Sequence, residues 1–465
     1  MAREPDSETV LSLDCICSGE EPLLSEHAVK GESEGGIVDT LPRAAAGSSL
    51  MLDALVVLSV AWLVRALFIL IVPAAAHSFD VDHWQHVARI LEQGGNPYMR
   101  TTYLNWPPVW MQLIEFLSRA SGLLGVSFLR VLQTFLLAVE AAVALVVLRM
   151  ARELVPTADV RRILIVGISL NPVAILLICQ HCNFDILAAL WILLFMGSLL
   201  AYNRGNNPVD FLSACLFLGL SILTKTFPLI LAPLLAHGFR QFTPKIRFLG
   251  SLLLLGPVVL GMSIIYVLAP EGVTTNVLAY RSYSGWFGVT GLLLMGGADE
   301  LLSIYGTFFS VLVIAVMVFV AFLIWRRPRT EDREFLLLAA LLLTAVPALG
   351  PGYAPQYFYW FLPLLILTFA VYPGRWRGVL VGFYLIAAVT YLVEYAIFPS
   401  HGAFLTRLTG SEPFITWSRT WSTQGIATLI RLPIFFAFLT LLAEGFTLLR
   451  RSLKENAIES IKLNT

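Results

Sequence analysis

The chain has 465 residues, of which 57% are hydrophobic and 13% charged, and its 31 basic side chains balance 31 acidic ones. A soluble domain carries about 25% charge, and no water-soluble core of this length hides so much apolar surface, so membrane hydrocarbon has to cover it. A net charge of zero gives no electrostatic case for nucleic acid or an acidic partner, and five scattered cysteines are too few for a disulfide scaffold.

Residues 1–48 are rich in Ser, Glu, Asp and Gly and contain no aromatic side chain, the composition of a disordered tail. They lack the apolar stretch of a secretory signal. Cys15 and Cys17 suit lipidation or a metal, or are two thiols in a bland tail. Residues 49–450 read as one membrane domain and 451–465 as a short C-terminal tail.

A spanning helix needs about 17–25 mostly apolar residues. In chain order the candidates are 51–75, 126–150, 163–180, 184–202, 209–224, 226–240, 248–268, 302–325, 335–350, 357–372, 378–397 and 425–448. This pattern predicts an all-α polytopic transmembrane bundle of about a dozen spans with a helical first extracytoplasmic loop. The two short segments flanking Lys225 also fit one broken or re-entrant hairpin. Basic clusters test the count, because cytoplasmic loops carry the excess of Lys and Arg. With the N-terminal tail cytoplasmic, Arg149/Arg152/Arg161/Arg162, Arg204, Arg240/Lys245/Arg247, Arg326/Arg327/Arg329/Arg333, Arg375/Arg377 and Arg450/Arg451/Lys454 all fall on that side. Both termini are then cytoplasmic. Residues 76–125, 181–185, 269–300, 351–356 and 398–424 occupy the opposite face, and charges are expected at helix ends rather than within spans.

The first external loop contains His77-Ser78-Phe79-Asp80-Val81-Asp82, then Gly94-Gly95-Asn96-Pro97-Tyr98, then Tyr103-Leu104-Asn105-Trp106-Pro107-Pro108. Two carboxylates two residues apart on a helix point in different directions, so one of them faces a given site. Asp80 lies nearer the membrane boundary, where burial raises a carboxyl pKa and a cationic neighbour lowers it. A carboxylate there suits removal of a proton from an attacking hydroxyl. Alternatively, Asp80 or Asp82 caps the amphipathic helix 81–93. Gly94 and Pro97 read as that helix's stop signal, and Asn105 to Pro108 as an extended lead into the next helix.

Gln180-His181-Cys182-Asn183-Phe184-Asp185 concentrates polar groups at a membrane boundary, where they are expensive without partners. Asp185 either orients an acceptor hydroxyl or caps the following helix. The Cys179 to Cys182 spacing invites a metal reading, but no second ligand pair accompanies it and no metal is expected. Lys225, in Thr224-Lys225-Thr226-Phe227-Pro228, either neutralises an anionic lipid phosphate or snorkels to the interface. Gln356, Tyr357 and Trp360 offer polar donors and flat apolar faces for a sugar or prenyl chain, or belong to an aromatic belt. Arg281, among Tyr280, Tyr283 and Trp286, suits a phosphate or a surface ion pair.

Taken in order, Phe79 to Asp82, Gly95 to Tyr98, Tyr103 to Pro108, Asn183 to Asp185, Thr224 to Pro228 and Gln356 to Pro363 resemble the GT-C glycosyltransferases. The similarity is to enzymes using polyprenyl-phosphate sugars, such as polyprenol-phosphate-mannose-dependent mannosyltransferases, and covers roughly residues 50–370. It implies an inverting transfer of mannose or another hexose from a polyprenyl- or dolichyl-phosphate donor to a glycan or lipid acceptor at the extracytoplasmic face. The resemblance puts Asp80 in the role of base, with Asp82 as its neighbour. It puts Lys225, and Arg281 beside it, in contact with the lipid phosphate, and implies that Asn183, Asp185, Gln356, Tyr357 and Trp360 bind substrate. It implies neither cofactor nor metal, and a home in a bacterial plasma membrane or the endoplasmic reticulum. The chain lacks the large soluble C-terminal domain of some members, so acceptor choice would rest on loops 269–300 and 398–424. A secondary transporter and a non-catalytic lipid-binding subunit are the rival readings. The long first loop and the expectation of charges at helix ends favour the enzyme.

Overall fold

The computed structural model describes residues 43–72, 77–101, 104–154, 160–280, 287–327, 330–397 and 426–464. Cys15, Cys17, Tyr103, Arg281, Tyr283, Trp286 and loop 398–424 lie outside the described residues. The chain divides into Met1–Ala46 and Gly47–Thr465. Of the first unit only 43–46, the start of a helix, is described, and the fold below is that of the second.

Among the described residues the structure is helical throughout, with no strand. In chain order come α1 (Arg43–Ile71), α2 (Phe79–Glu92), α3 (Pro108–Leu124) and α4 (Phe128–Leu154). A bent pair, α5 (Val160–Ser169) and α6 (Pro172–His181), leads into α7 (Asp185–Gly205) and α8 (Pro208–Thr224). Beyond them are α9 (Pro244–Leu268), α10 (Leu301–Arg326), α11 (Asp332–Leu349), α12 (Phe358–Val371), α13 (Arg375–Leu392) and α14 (Ile426–Asn464). Seven helices are long and apolar enough to cross a membrane, or eight if the bent pair counts as one span. Each of the twelve expected segments contains a helix among its described residues, but the others are shorter, bent or carry more charge, so a count of twelve does not follow from length and composition.

The segment expected as span 226–240 shows why. Phe227–Leu235 is a 3₁₀ helix containing Pro228 and Pro233, and Ala236–Gln241 completes it as a short α-helix. Proline donates no backbone hydrogen bond and disfavours a regular α-helix. A 3₁₀ helix rises about 2.0 Å per residue, so nine such residues and six α-helical ones reach about 27 Å, close to the ~30 Å of a hydrocarbon core. The last helix differs in the other direction. Its 39 residues extend about 58 Å, so the tail expected from 451 continues the helix to Asn464. Likewise α1 begins at Arg43, ahead of the expected boundary at 49.

Contacts between helix ends sort the loops into two sets. Glu153, Arg204 and Asp332 join through Arg204, at 2.9 Å and 2.5 Å. Arg327 pairs with Glu334 at 3.3 Å, Ser452 donates to Glu334 at 2.9 Å, and Arg240 donates to the Trp325 carbonyl. These groups all belong to the basic-loop end. The acidic and aromatic loops gather at the opposite end, described below. Between the two ends, close helix approach is set by small residues. A Cβ on Gly219 of α8 would lie 2.5 Å from the Leu254 carbonyl of α9, so a larger residue there would push these helices apart.

Charges are not confined to helix ends. Arg65 of α1 and Glu140 of α4 form a fully buried pair at 2.5 Å. The reason lies in the 42° bend between α5 and α6. Pro172 begins α6 and Asn171 caps it, accepting from the Val173 amide at 2.9 Å. The preceding helix end is left with carbonyls lacking intrahelical donors. Arg65 donates to the Ser169 carbonyl and joins the Asn171 amide (3.3 Å) on the Ile168 carbonyl (3.1 Å), and Glu140 neutralises the guanidinium. Removing one partner of a buried pair costs about 3–5 kcal/mol. Arg65→Met should therefore lower the thermal midpoint in detergent sharply. Arg65→Met combined with Glu140→Leu should lower it less than Arg65→Met alone; equal losses would mean that Glu140 is not the counter-ion of Arg65.

Candidate active site

α2 is preceded by its N-cap residue Ser78, whose hydroxyl makes no capping bond to the helix. It donates instead to the His181 carbonyl at 2.9 Å, while the Ser78 amide donates to the Gln180 carbonyl at 3.1 Å. Trp84, further along α2, donates from Nε1 to the Cys182 carbonyl at 3.3 Å. These bonds fasten α2 to the turn between α6 and α7. That turn is sharp because α6 ends in a π-helical stretch, Leu177–His181, and Cys182 adopts φ +53°, in the left-handed region that L-residues rarely enter. The Asn183 amide reaches back to the Leu177 carbonyl at 3.1 Å, closing the helix end. At the far end of α2, Gly94 takes φ +69° and the Gly95 amide bonds the Ile90 carbonyl at 2.8 Å, the stop that the glycines imply.

Asp80 is buried in the first turn of α2, and among the described residues its carboxylate is engaged by His181 and Asn183 rather than by a capping bond. Its Oδ2 accepts from His181 Nε2 at 2.6 Å and from Asn183 Nδ2 at 3.0 Å. Burial pushes the carboxyl pKa up, but the His181 ring and the bonds from His181 and Asn183 outweigh it, and the group stays below its ordinary value of 3.8. Asp80 is therefore a carboxylate at neutral pH. Its contribution to stability is complete above 3.8 and is lost as pH falls through the lowered value. Asp82, two residues on, is exposed and pairs with His77 at 2.8 Å, so it is not brought to the same place. The helical geometry separates the two acids as expected.

Lys225 ends α8 in an extended conformation and neither snorkels nor stands alone. Its ammonium pairs with Asp185, the first residue of α7, which is fully buried. Asp185 thus meets a cation rather than capping its helix, and its amide donates to Asn183 Oδ1 at 3.0 Å. Three rings surround the ammonium, with centroids at 5.2 Å (Phe184), 4.8 Å (Tyr357) and 4.9 Å (Trp360). Trp360 stacks on Phe227 at 3.5 Å and on Tyr357 at 3.8 Å.

Asp80 and Lys225 line one cavity of about 270 Å³. Asn105, Trp106, Asn183, Gln356, Tyr357 and Trp360 share its wall, and Tyr280 closes one side with its hydroxyl 3.4 Å from that of Tyr357. The cavity therefore gathers Asp80, Asn183, Lys225, Gln356, Tyr357 and Trp360 from the sequence-derived set. Asp185 stands behind Lys225, Asp82 faces away, and Arg281 lies outside the described residues. Three participants carried no individual signal. His181 sat within a recognised polar run, but its contact with Asp80 joins residues 101 apart in sequence. Tyr391 and Tyr395 lie at the end of an ordinary apolar span, and nothing in their spacing announces that both contact His181.

No family model matches this chain, and no curated protein matches it. Among solved structures it is similar to ArnT from Cupriavidus metallidurans bound to undecaprenyl phosphate, at 14% identity over 89% of this chain and 79% of that one, with a TM-score of 0.45.

Proposed function

We propose that this protein is an inverting membrane glycosyltransferase, moving a hexosyl group, mannose first among the candidates, from a polyprenyl- or dolichyl-phosphate donor to a hydroxyl of a glycan or lipid acceptor at the extracytoplasmic face. The observation that carries the reading is the shared cavity: a carboxylate free of capping duty and a caged ammonium line the same space. The acceptor oxygen attacks the anomeric carbon as Asp80 takes its proton on Oδ1, the oxygen to which neither His181 nor Asn183 is bonded. The bond from the anomeric carbon to the phosphate oxygen breaks, and the lipid phosphate departs as an anion facing Lys225. A phosphate monoester has a second pKa of about 6, so the leaving group needs no acid. The Asn105 Oδ1 atom is buried without a partner among the described residues, a vacant acceptor for a sugar hydroxyl. Trp106, Tyr357 and Trp360 supply flat faces for the sugar ring.

Arg65 and Glu140 favour the transporter reading to the extent that transporters keep ionisable pairs within their spans. Their bonds to the broken helix give the pair a structural duty, which weakens that reading. Purified protein in liposomes, given a panel of prenyl-phosphate hexoses and nucleotide sugars, tests the choice. With an acceptor hydroxyl present, release of lipid phosphate from one or more prenyl donors and no release of nucleotide from the nucleotide sugars is the expected result. Passage of a sugar or lipid across the bilayer without any bond cleavage would favour a transporter.

A further inference from the structure

His181 is fully buried between Asp80 and two tyrosines of the α13 end, and the transfer chemistry above gives it no task. Its ring is held on three sides. Nε2 lies 2.6 Å from Asp80 Oδ2 and Nδ1 lies 2.9 Å from the Tyr391 hydroxyl. The Tyr395 ring lies against the imidazole, centroids 4.4 Å apart. A carboxylate only accepts, so Nε2 carries the hydrogen. In the neutral ring Nδ1 then accepts from Tyr391, which fixes the tautomer. Tyr395 in turn donates its hydroxyl to Gln356 Oε1, and Gln356 lines the cavity. Tyr391 closes the α13 helix and Tyr395 lies in a π-helical turn, Val393–Ile397, that continues it. π-Bulges of this kind recur at functional sites.

The geometry points to His181 as a positioning residue for the base: held by Tyr391 and Tyr395, it occupies Oδ2 of Asp80 together with Asn183, so that Oδ1 is the oxygen presented to the acceptor hydroxyl, and it couples the orientation of Asp80 to the Gln356 wall. This rests on the glycosyltransferase reading. His181 takes no proton and touches no substrate; it acts through the orientation of Asp80.

Steady-state kinetics on the full-length protein in liposomes, with a prenyl-phosphate hexose accepted in the donor panel, test it. A displacement of about 1 Å at a reacting group costs on the order of 100-fold. His181→Ala should lower kcat by about that factor while the donor KM moves less than about 3-fold. His181→Gln, whose amide nitrogen falls near the place of Nε2, should recover kcat to within about 10-fold of wild type. Tyr391→Phe, which deletes one oxygen and keeps the ring, should lower kcat about 5- to 10-fold and serves even if His181→Ala does not fold. Unchanged kcat in His181→Ala or in Tyr391→Phe would overturn the inference. So would an equal loss in the Ala and Gln variants with donor KM rising in parallel, the mark of packing alone. Asp80→Asn and the donor panel separate the layers: if Asp80→Asn is inactive while His181→Ala is normal, only the positioning role fails; if Asp80→Asn is fully active, the base assignment and the positioning role fail together; if no prenyl donor in the panel is cleaved, the glycosyltransferase reading itself fails.

Discussion

Replacing Asp80 by Asn lowers sugar transfer by about 10²–10⁴-fold, the range a general base contributes, and leaves donor binding within a few-fold of wild type. Asn keeps the shape of the side chain and can still accept from Asn183 and His181 through its amide oxygen, so the fold is preserved while the proton acceptor is lost. The lowered pKa of Asp80 sharpens the expectation, because the wild-type group is fully ionised at neutral pH and no protonated fraction masks the comparison. Asp82→Asn is the matched control. That carboxylate is exposed and, among the described residues, pairs with His77 away from the cavity, so transfer stays near wild type. Lipid-phosphate release and donor binding, measured side by side, check both variants. Loss of donor binding in Asp80→Asn to the same extent as loss of transfer would assign the residue to binding.

Lys225→Met produces two effects that have to be separated. The first is on stability: Asp185 is fully buried, and depriving a buried charge of its partner costs about 3–5 kcal/mol. The second is on the donor: a charge-assisted bond to phosphate is worth about 1.5–3 kcal/mol, so affinity falls about 10- to 100-fold. The pair Lys225→Met with Asp185→Asn recovers most of the thermal midpoint, because the remaining neutral amide tolerates burial better than a carboxylate does. It leaves the donor affinity low. Recovery of donor binding together with stability would mean that Lys225 serves only as the counter-ion of Asp185. The ring cage argues for more than that, since Phe184, Tyr357 and Trp360 flank the ammonium at the cavity wall on the sides that its pairing with Asp185 leaves open.

Much of this architecture was legible in the sequence because membranes impose simple rules. Apolar runs marked the long helices, Gly94 and Pro97 marked the end of α2, and the basic clusters foretold which loops meet at each end of the bundle. The polar runs pointed to Asp80, Asn183, Lys225 and Gln356 because polar groups at a membrane boundary require partners. Three things escaped for physical reasons. The 3₁₀ rise of Phe227–Leu235 lets a short segment reach farther than its residue count suggests. The Arg65–Glu140 pair answers a helix break more than a hundred residues from Arg65, and local composition cannot show a long-range contact. Tyr391, 210 positions from His181, was hidden for the same cause. The separation of Asp80 from Asp82 was legible too, because two steps of about 100° each turn the second carboxylate away from the first and out to solvent.

The division of labour between Asp80 and Lys225 can be read in a single experiment. Binding of one radiolabelled prenyl-phosphate hexose, and its single-turnover cleavage in the presence of a hydroxyl-bearing glycan or lipid acceptor, are measured on wild type, on Asp80→Asn and on the stabilised Lys225→Met/Asp185→Asn pair. The position-80 variant should hold the donor and not cleave it, whereas the position-225 pair should fail to hold it at concentrations that saturate wild type. If both variants bind the donor and cleave it at the wild-type rate, the cavity that joins these two residues is not where the sugar is transferred.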